Sequence, residues 1–132
     1  MEIQVSIEQG RVPVTVFHIV GDVDASTYEQ LQTRAREAHA AGAGNLVLDL
    51  AQVGYVSSAG VRALNAIFTL LRTDAPAESD AVMYKGISDG TFKSPHLKLA
   101  NLNARVADAL RIAGIDMLLE FHPSLAAAVA SF

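Results

Sequence analysis

The run Asn45-Leu46-Val47-Leu48-Asp49-Leu50 is apolar almost without interruption. A strand with one wet face alternates apolar and polar side chains, whereas a strand apolar in both directions must be covered on both faces. The run therefore predicts a central strand. Its neighbours are legible on the N-terminal side. Ile3, Val5 and Ile7 alternate with Glu2, Gln4, Ser6 and Glu8, and after Gln9-Gly10 a second alternation runs Val12, Val14, Val16, His18, Val20. Period two means strand, and the intervening glycine predicts a hairpin.

Helical signals separate the strands. Ser26 followed three residues later by Glu29 has the form of a capping box, which predicts a helix start at Ser26. Leu31, Ala35 and Ala38 would line its inner face, and Gly42-Ala43-Gly44 would end it. A second helix is predicted from Ser57-Ser58 to about Arg72, with Val61, Leu64, Ile67, Phe68 and Leu71 on one face. From Thr73 to Ser94 the pattern dissolves into Pro76, Gly86, Gly90 and scattered charge; only Ala81-Val82-Met83-Tyr84 looks ordered, and the segment reads as a mobile insertion or loop. His96 to Ala100 predicts a short strand, Asn103 onward a helix carrying Val106 and Leu110 and capped by Gly114, and Met117 to Phe121 a last strand. Pro123 suits the first turn of a terminal helix whose Leu125, Val129 and Phe132 face inward. The expected core sets Val14, Val16, Leu46, Leu48, Leu50 and Leu99 against Val61, Leu64, Ile67, Phe68, Val106 and Leu110. Two strands followed by alternating helix and strand imply an α/β fold with a mixed sheet flanked by helices.

Composition narrows the function. The 132 residues, one domain's worth, are 51% hydrophobic and 18% charged, enough apolar material for a single core. With no cysteine, disulfides, thiolate metal sites and cysteine nucleophiles are excluded. A formal net charge of −4 argues against nucleic acid as a partner, because phosphate-backbone binding needs clustered Lys and Arg. Met1-Glu2-Ile3-Gln4 lacks a basic region followed by an apolar run, and no stretch approaches the roughly 20 apolar residues of a membrane span. The expectation is a soluble, cytoplasmic protein without direct membrane insertion.

No catalytic set emerges along the chain. His18, His39, His96 and His122 are scattered without metal-ligand spacing, and read as surface or strand-edge histidines. Asp22 and Asp24 at a strand end read as a turn and cap rather than an acid-base pair. Ser57-Ser58-Ala59-Gly60 lies between the buried strand and the second helix, where free amides and the positive helix end welcome an anion, or where a serine simply caps the helix. The serines do not fit the GxSxG pattern, and no histidine adjoins them in sequence, so serine hydrolase chemistry has little support there.

The segments Gly21-Asp22-Val23-Asp24-Ala25-Ser26-Thr27 and Leu48-Asp49-Leu50-x-x-Val53-x-Tyr55-Val56-Ser57-Ser58-Ala59-Gly60-Val61-Arg62-Ala63-Leu64 stand in an order and spacing that resemble the STAS domain, the module of bacterial anti-sigma factor antagonists. Leu99 to Leu119 resembles the later strand, helix and strand of that family. The resemblance implies a single STAS-like domain over residues 1–132 with an atypical insertion at about 73–94. It implies binding rather than catalysis and no cofactor or metal. The partner it implies is an anti-sigma factor that is also a serine kinase of the partner-switching type, with a phosphatase as a further candidate. Phosphorylation at the start of the second helix would break the contact, and the matching position is Ser58, with Ser57 as the alternative. Ser57 and Ala59 stand where the family often has Asp and Ser or Thr. Partner-binding residues carried over in this way are Asp22, Asp24, Ser26, Tyr55, Ser57, Ser58, Ala59, Gly60 and Arg62. Other roles found in such domains are a constitutive subunit of a transporter ATPase complex and a small-ligand or nucleotide sensor.

Overall fold

The two N-terminal alternations pair as a hairpin: β1 (Glu2–Gln9) runs antiparallel to β2 (Pro13–Val20), with Gln9 opposite Pro13 and Glu2 opposite Val20. Every later neighbour is parallel. β3 (Leu46–Gln52), β4 (Leu97–Ala100) and β5 (Glu120–His122) follow in spatial order, so the sheet reads β1-β2-β3-β4-β5 with the apolar run at its centre. Parallel pairs need crossovers. α1 (Tyr28–Ala40) connects β2 to β3, α2 (Ser58–Arg72) follows β3, α3 (Ala104–Ile112) connects β4 to β5, and α4 (Leu125–Ala130) comes last. The computed structural model describes residues 1–72 and 93–132. The insertion expected at 73–94 lies outside the described residues except for Lys93 and Ser94. Ser94 lies in the irregular segment that leads into β4 and is buried there: its N–H donates to the Leu118 carbonyl at 2.8 Å, and its Oγ accepts from the N–H groups of His96 and Leu97.

The sheet buries apolar side chains on both faces, and the register decides which side each takes. Phe17 stands opposite Leu48, and Leu48 opposite Leu99, so these three point together toward α1, α2 and α3 and pack with Leu31, Leu64, Ile67, Val106 and Leu110. The side chains one step along each strand point the other way. Val14, Val16, Val47 and Ala100 form a separate cluster under α4 with Ala128, Leu125, Val129 and Phe132. Val14 and Val16 were expected against α2 and α3; they lie on the opposite face because β2 is apolar in both directions, with Phe17 and Ile19 taking the inner positions. Val61 is only half-buried at the rim of the main core.

Three local expectations are corrected by hydrogen bonding. The capping box at Ser26 does not form: the Ser26 N–H and Oγ–H both donate to the Asp24 carboxylate, at 2.9 and 2.7 Å, and α1 begins two residues later at Tyr28. Residues Ile115–Met117 form a 3-10 turn after Gly114 at φ +81°, with the Leu119 N–H returning to the Ile115 carbonyl, so the last strand starts only at Glu120, where pairing with Lys98 begins. Pro123 precedes the terminal helix instead of entering it, because Ser124 is the cap, accepting the Ala127 N–H at 3.1 Å. No helix among the described residues is long and apolar enough to cross a membrane.

Candidate functional site

The chain leaves β2 at Gly21 and leaves β3 at Gln52, and the two exits are tied to each other. The Gly21 N–H donates to the Gln52 carbonyl at 3.1 Å, the Val23 N–H to the Tyr55 carbonyl at 3.0 Å, and the Ser57 N–H to the Val23 carbonyl at 2.9 Å. Val23 and Val56 thus form a parallel bridge, with both side chains buried below the surface. The two segments that carried the sequence resemblance are therefore one surface, at the carboxyl ends of the central strands, where open α/β sheets bind their ligands.

Gly60 sets how closely α2 approaches that bridge. A β-carbon there would lie 2.6 Å from the Val23 carbonyl oxygen and 2.7 Å from Val56 Cγ1, so only glycine lets the first turn of the helix rest on the bridge. Ala59 and Gly60, carried over as partner-binding residues, are both buried; they seat the helix from beneath rather than face outward.

Ser57 caps α2. The Val61 N–H donates to the Ser57 carbonyl at 2.9 Å, and the Ser57 Oγ accepts from the Gly60 N–H at a long 3.4 Å. Ser58 is then the first helical residue and is exposed. Its hydroxyl stands at the helix end where backbone amides and the macrodipole favour negative charge. Arg62, one turn further along, is exposed as well.

On the neighbouring segment Asp24 organises a tight turn. Besides the two bonds from Ser26, its backbone N–H donates to Thr27 Oγ1 at 2.9 Å, and that hydroxyl donates to the Asp22 carbonyl at 2.8 Å. The Ser26 hydroxyl and amide hold the Asp24 carboxyl below the ordinary carboxylate range. Asp22 is exposed beside Gly54. The structure thus brings Asp22, Asp24, Tyr55, Ser57, Ser58 and Gly60 together and leaves Ser26 exposed at the edge of the group.

Two residues join this surface that the sequence did not single out for it. Arg105 in α3 places its guanidinium 5.2 Å from the centre of the Tyr55 ring, and Tyr55 remains 40% exposed. Asn103 caps α3 by accepting the Val106 N–H at 2.8 Å, while its amide donates to the Val53 carbonyl at 2.9 Å. Asn103 was legible as a helix start, but nothing local announces a bond to a residue fifty positions away.

Residues 5–75, more than half of the chain, match the family model of the STAS domain. No curated protein matches the chain. Among solved structures, a Thermotoga maritima protein assigned as an anti-sigma factor antagonist superposes with a TM-score of 0.71 at 13% identity, over 96% of this chain and 90% of that one. An anti-sigma factor antagonist from Mycobacterium paratuberculosis superposes with a TM-score of 0.67 at 18% identity, over 98% and 93%. The Bacillus cell fate determinant SpoIIAA in its phosphorylated form gives 0.61 at 15% identity, over 97% and 96%. At such identities the likeness is one of fold.

Proposed function

The chain belongs to the STAS domain family, and from that membership we propose that it acts by binding, as an anti-sigma factor antagonist whose docking surface is the paired exits of β2 and β3 with the first turn of α2. Residues 1–132 act as one such domain. The partner is an anti-sigma factor with serine kinase activity, and Ser58 is the residue it phosphorylates, with a phosphatase resetting the switch.

The observation that carries this reading is the division of labour between the two serines. Ser57 is committed to capping, whereas Ser58 is exposed at the head of α2. A phosphate there adds about −1.5 to −2 charge and three acceptor oxygens. The helix terminus tolerates that charge within the free protein, but a partner closing over it must desolvate it. The same group is thus compatible with the fold and incompatible with the complex.

The test is titration of the kinase partner with Ser58→Ala and Ser58→Asp proteins, with melting curves on both. Ser58→Ala should bind and resist phosphorylation. Ser58→Asp should lose at least about tenfold in affinity, the equivalent of ~1.4 kcal/mol. A folded Ser58→Asp protein that binds as tightly as wild type refutes the switch.

A further inference from the structure

On the face of the sheet that carries α4, a line of polar side chains crosses β1, β2 and β3 and ends at Asn101, the residue after β4. Ser6 Oγ lies 3.0 Å from His18 Nε2, His18 Nδ1 lies 2.9 Å from Asp49 Oδ2, and the Asn101 amide donates to Asp49 Oδ1 at 3.0 Å. These groups share the face of Val16 and Val47, the opposite face from α2. We propose that Ser6 is an activated nucleophile, with His18 as its general base and Asp49 as the group that orients His18, and that it accepts acyl groups from small activated esters. The proposal is independent of the partner-docking reading.

The direction of each hydrogen bond follows from Asp49. Burial alone would raise its carboxyl, but the Asn101 amide, His18 and the Ala51 N–H together hold it below the ordinary value, so it remains an acceptor. The proton on neutral His18 therefore sits on Nδ1, which leaves the Nε2 lone pair to accept the Ser6 hydroxyl proton. That is the order nucleophile, base, orienter required of an activated serine. Asn101 holds the carboxylate from the far side with its backbone in the left-handed region, at φ +60°, a conformation uncommon outside glycine.

The position of Ser6 on an edge strand supplies a further part. The Thr15 N–H donates to the Asn45 carbonyl, so the backbone of Thr15 faces β3, and its neighbour Val16 faces β1. Val16 is the register partner of Ser6, whose own backbone therefore points inward; the alternation then turns the Ile7 N–H away from β2, at the edge of the sheet that the described residues form. The amide of the residue following the nucleophile is thus available to an ester oxygen approaching from solvent.

The chemistry closes on these groups and water. Ser6 Oγ attacks the ester carbonyl carbon as its proton passes to His18 Nε2, and the Ile7 N–H faces the developing oxyanion. The bond to the leaving oxygen breaks, that oxygen takes the proton from His18, and acyl-Ser6 remains. Water then attacks the acyl carbon, giving a proton to His18 that returns to Ser6 Oγ as the carboxylic acid leaves.

A fluorophosphonate probe with peptide mapping, run beside p-nitrophenyl acetate hydrolysis, tests this on the full chain. Ser6 should be phosphonylated and Ser6→Ala should abolish both signals. His18→Ala should slow labelling at least about a hundredfold, the low end of what a positioned general base supplies, and added imidazole should restore it. His18→Gln, which keeps a hydrogen-bonding side chain, serves if the alanine protein fails to fold. Absence of a Ser6 adduct on the folded wild type, or labelling indifferent to removal of His18, overturns the proposal and leaves the array as a bracing of the strands.

Discussion

Replacing Gly60 by alanine sets two effects of opposite sign against each other. In a helix interior alanine is better than glycine by about 0.8–1.0 kcal/mol, an upper bound for Gly60 in the first turn, so propensity alone forecasts a more stable protein. Against this, the new methyl would sit 2.6 Å from the Val23 carbonyl oxygen and 2.7 Å from Val56 Cγ1, well inside ordinary contact. The obstacle is backbone, and it is the same carbonyl that accepts the Ser57 N–H at the helix cap. It cannot swing aside as a flexible side chain would. α2 must withdraw by most of an ångström, at an overpacking cost of about 1–3 kcal/mol. Weakening of the Ser57–Val23 bond adds about 0.5–1.5 kcal/mol. The net expectation is a loss of about 1–3 kcal/mol, read as a lower urea midpoint at unchanged slope. Gly44, where an added β-carbon meets nothing within 4 Å, is the control. Gly44→Ala should be neutral or stabilising by up to about 1 kcal/mol. A Gly60→Ala protein as stable as wild type would refute the claim that the Val23–Val56 bridge fixes the height of α2. Partner affinity should fall with the same substitution, because the first turn presents Ser58.

Leu48→Ala removes a fully buried side chain between Phe17 and Leu99 at the centre of the sheet and should cost about 2–5 kcal/mol in denaturant titration; a loss below about 0.5 kcal/mol would deny its central place. Ser57→Ala should cost about 0.5–1 kcal/mol, at the low end for a cap because its bond to Gly60 is 3.4 Å long, while Ser58→Ala should leave the melting temperature unchanged; equal effects would contradict the assignment of Ser57 as the cap. Because the Asp49 carboxyl lies below its ordinary value of 3.8 when folded, its contribution to stability is full above that value and is lost as pH falls through the lowered folded value. Stability measured from pH 6 down to pH 2 should therefore fall less steeply in Asp49→Asn than in wild type, and parallel acid limbs would show that Asp49 contributes no proton linkage.

The hairpin, the central strand, the span of α2 and the start of α3 near Asn103 were all legible, because each rests on periodicity or on a bond between residues close in sequence. Failures arose where a second local partner competed. Ser26 had the spacing of a capping box, but Asp24, two residues before it, captured both of its donors. Gly114 was recognised as a helix stop, while the turn after it, completed by the Leu119–Ile115 bond, displaced the last strand to Glu120. At the candidate site the order and spacing of the motif residues picked out two segments that the structure brings side by side. They could not separate Ala59 and Gly60, which face the core, from Ser58, which faces out.

What the sequence determined by itself is therefore the order of elements, the strand at the centre and the identity of the two motif segments, since pattern and spacing are properties of the chain. Which face each strand residue takes was decided by register: β2 is apolar in both directions, and pairing of Thr15 with Leu46 put Phe17 under the helices and Val14 and Val16 beneath α4. The same register set His18 beside Asp49, and the β1–β2 register brought it within reach of Ser6, three residues separated by 12 and 31 positions along the chain. Tertiary structure also made the paired exits of β2 and β3 one surface, through the Val23–Val56 bridge and the closeness that Gly60 permits. Contacts of this kind depend on the pairing of strands distant in sequence, and no local pattern specifies that pairing.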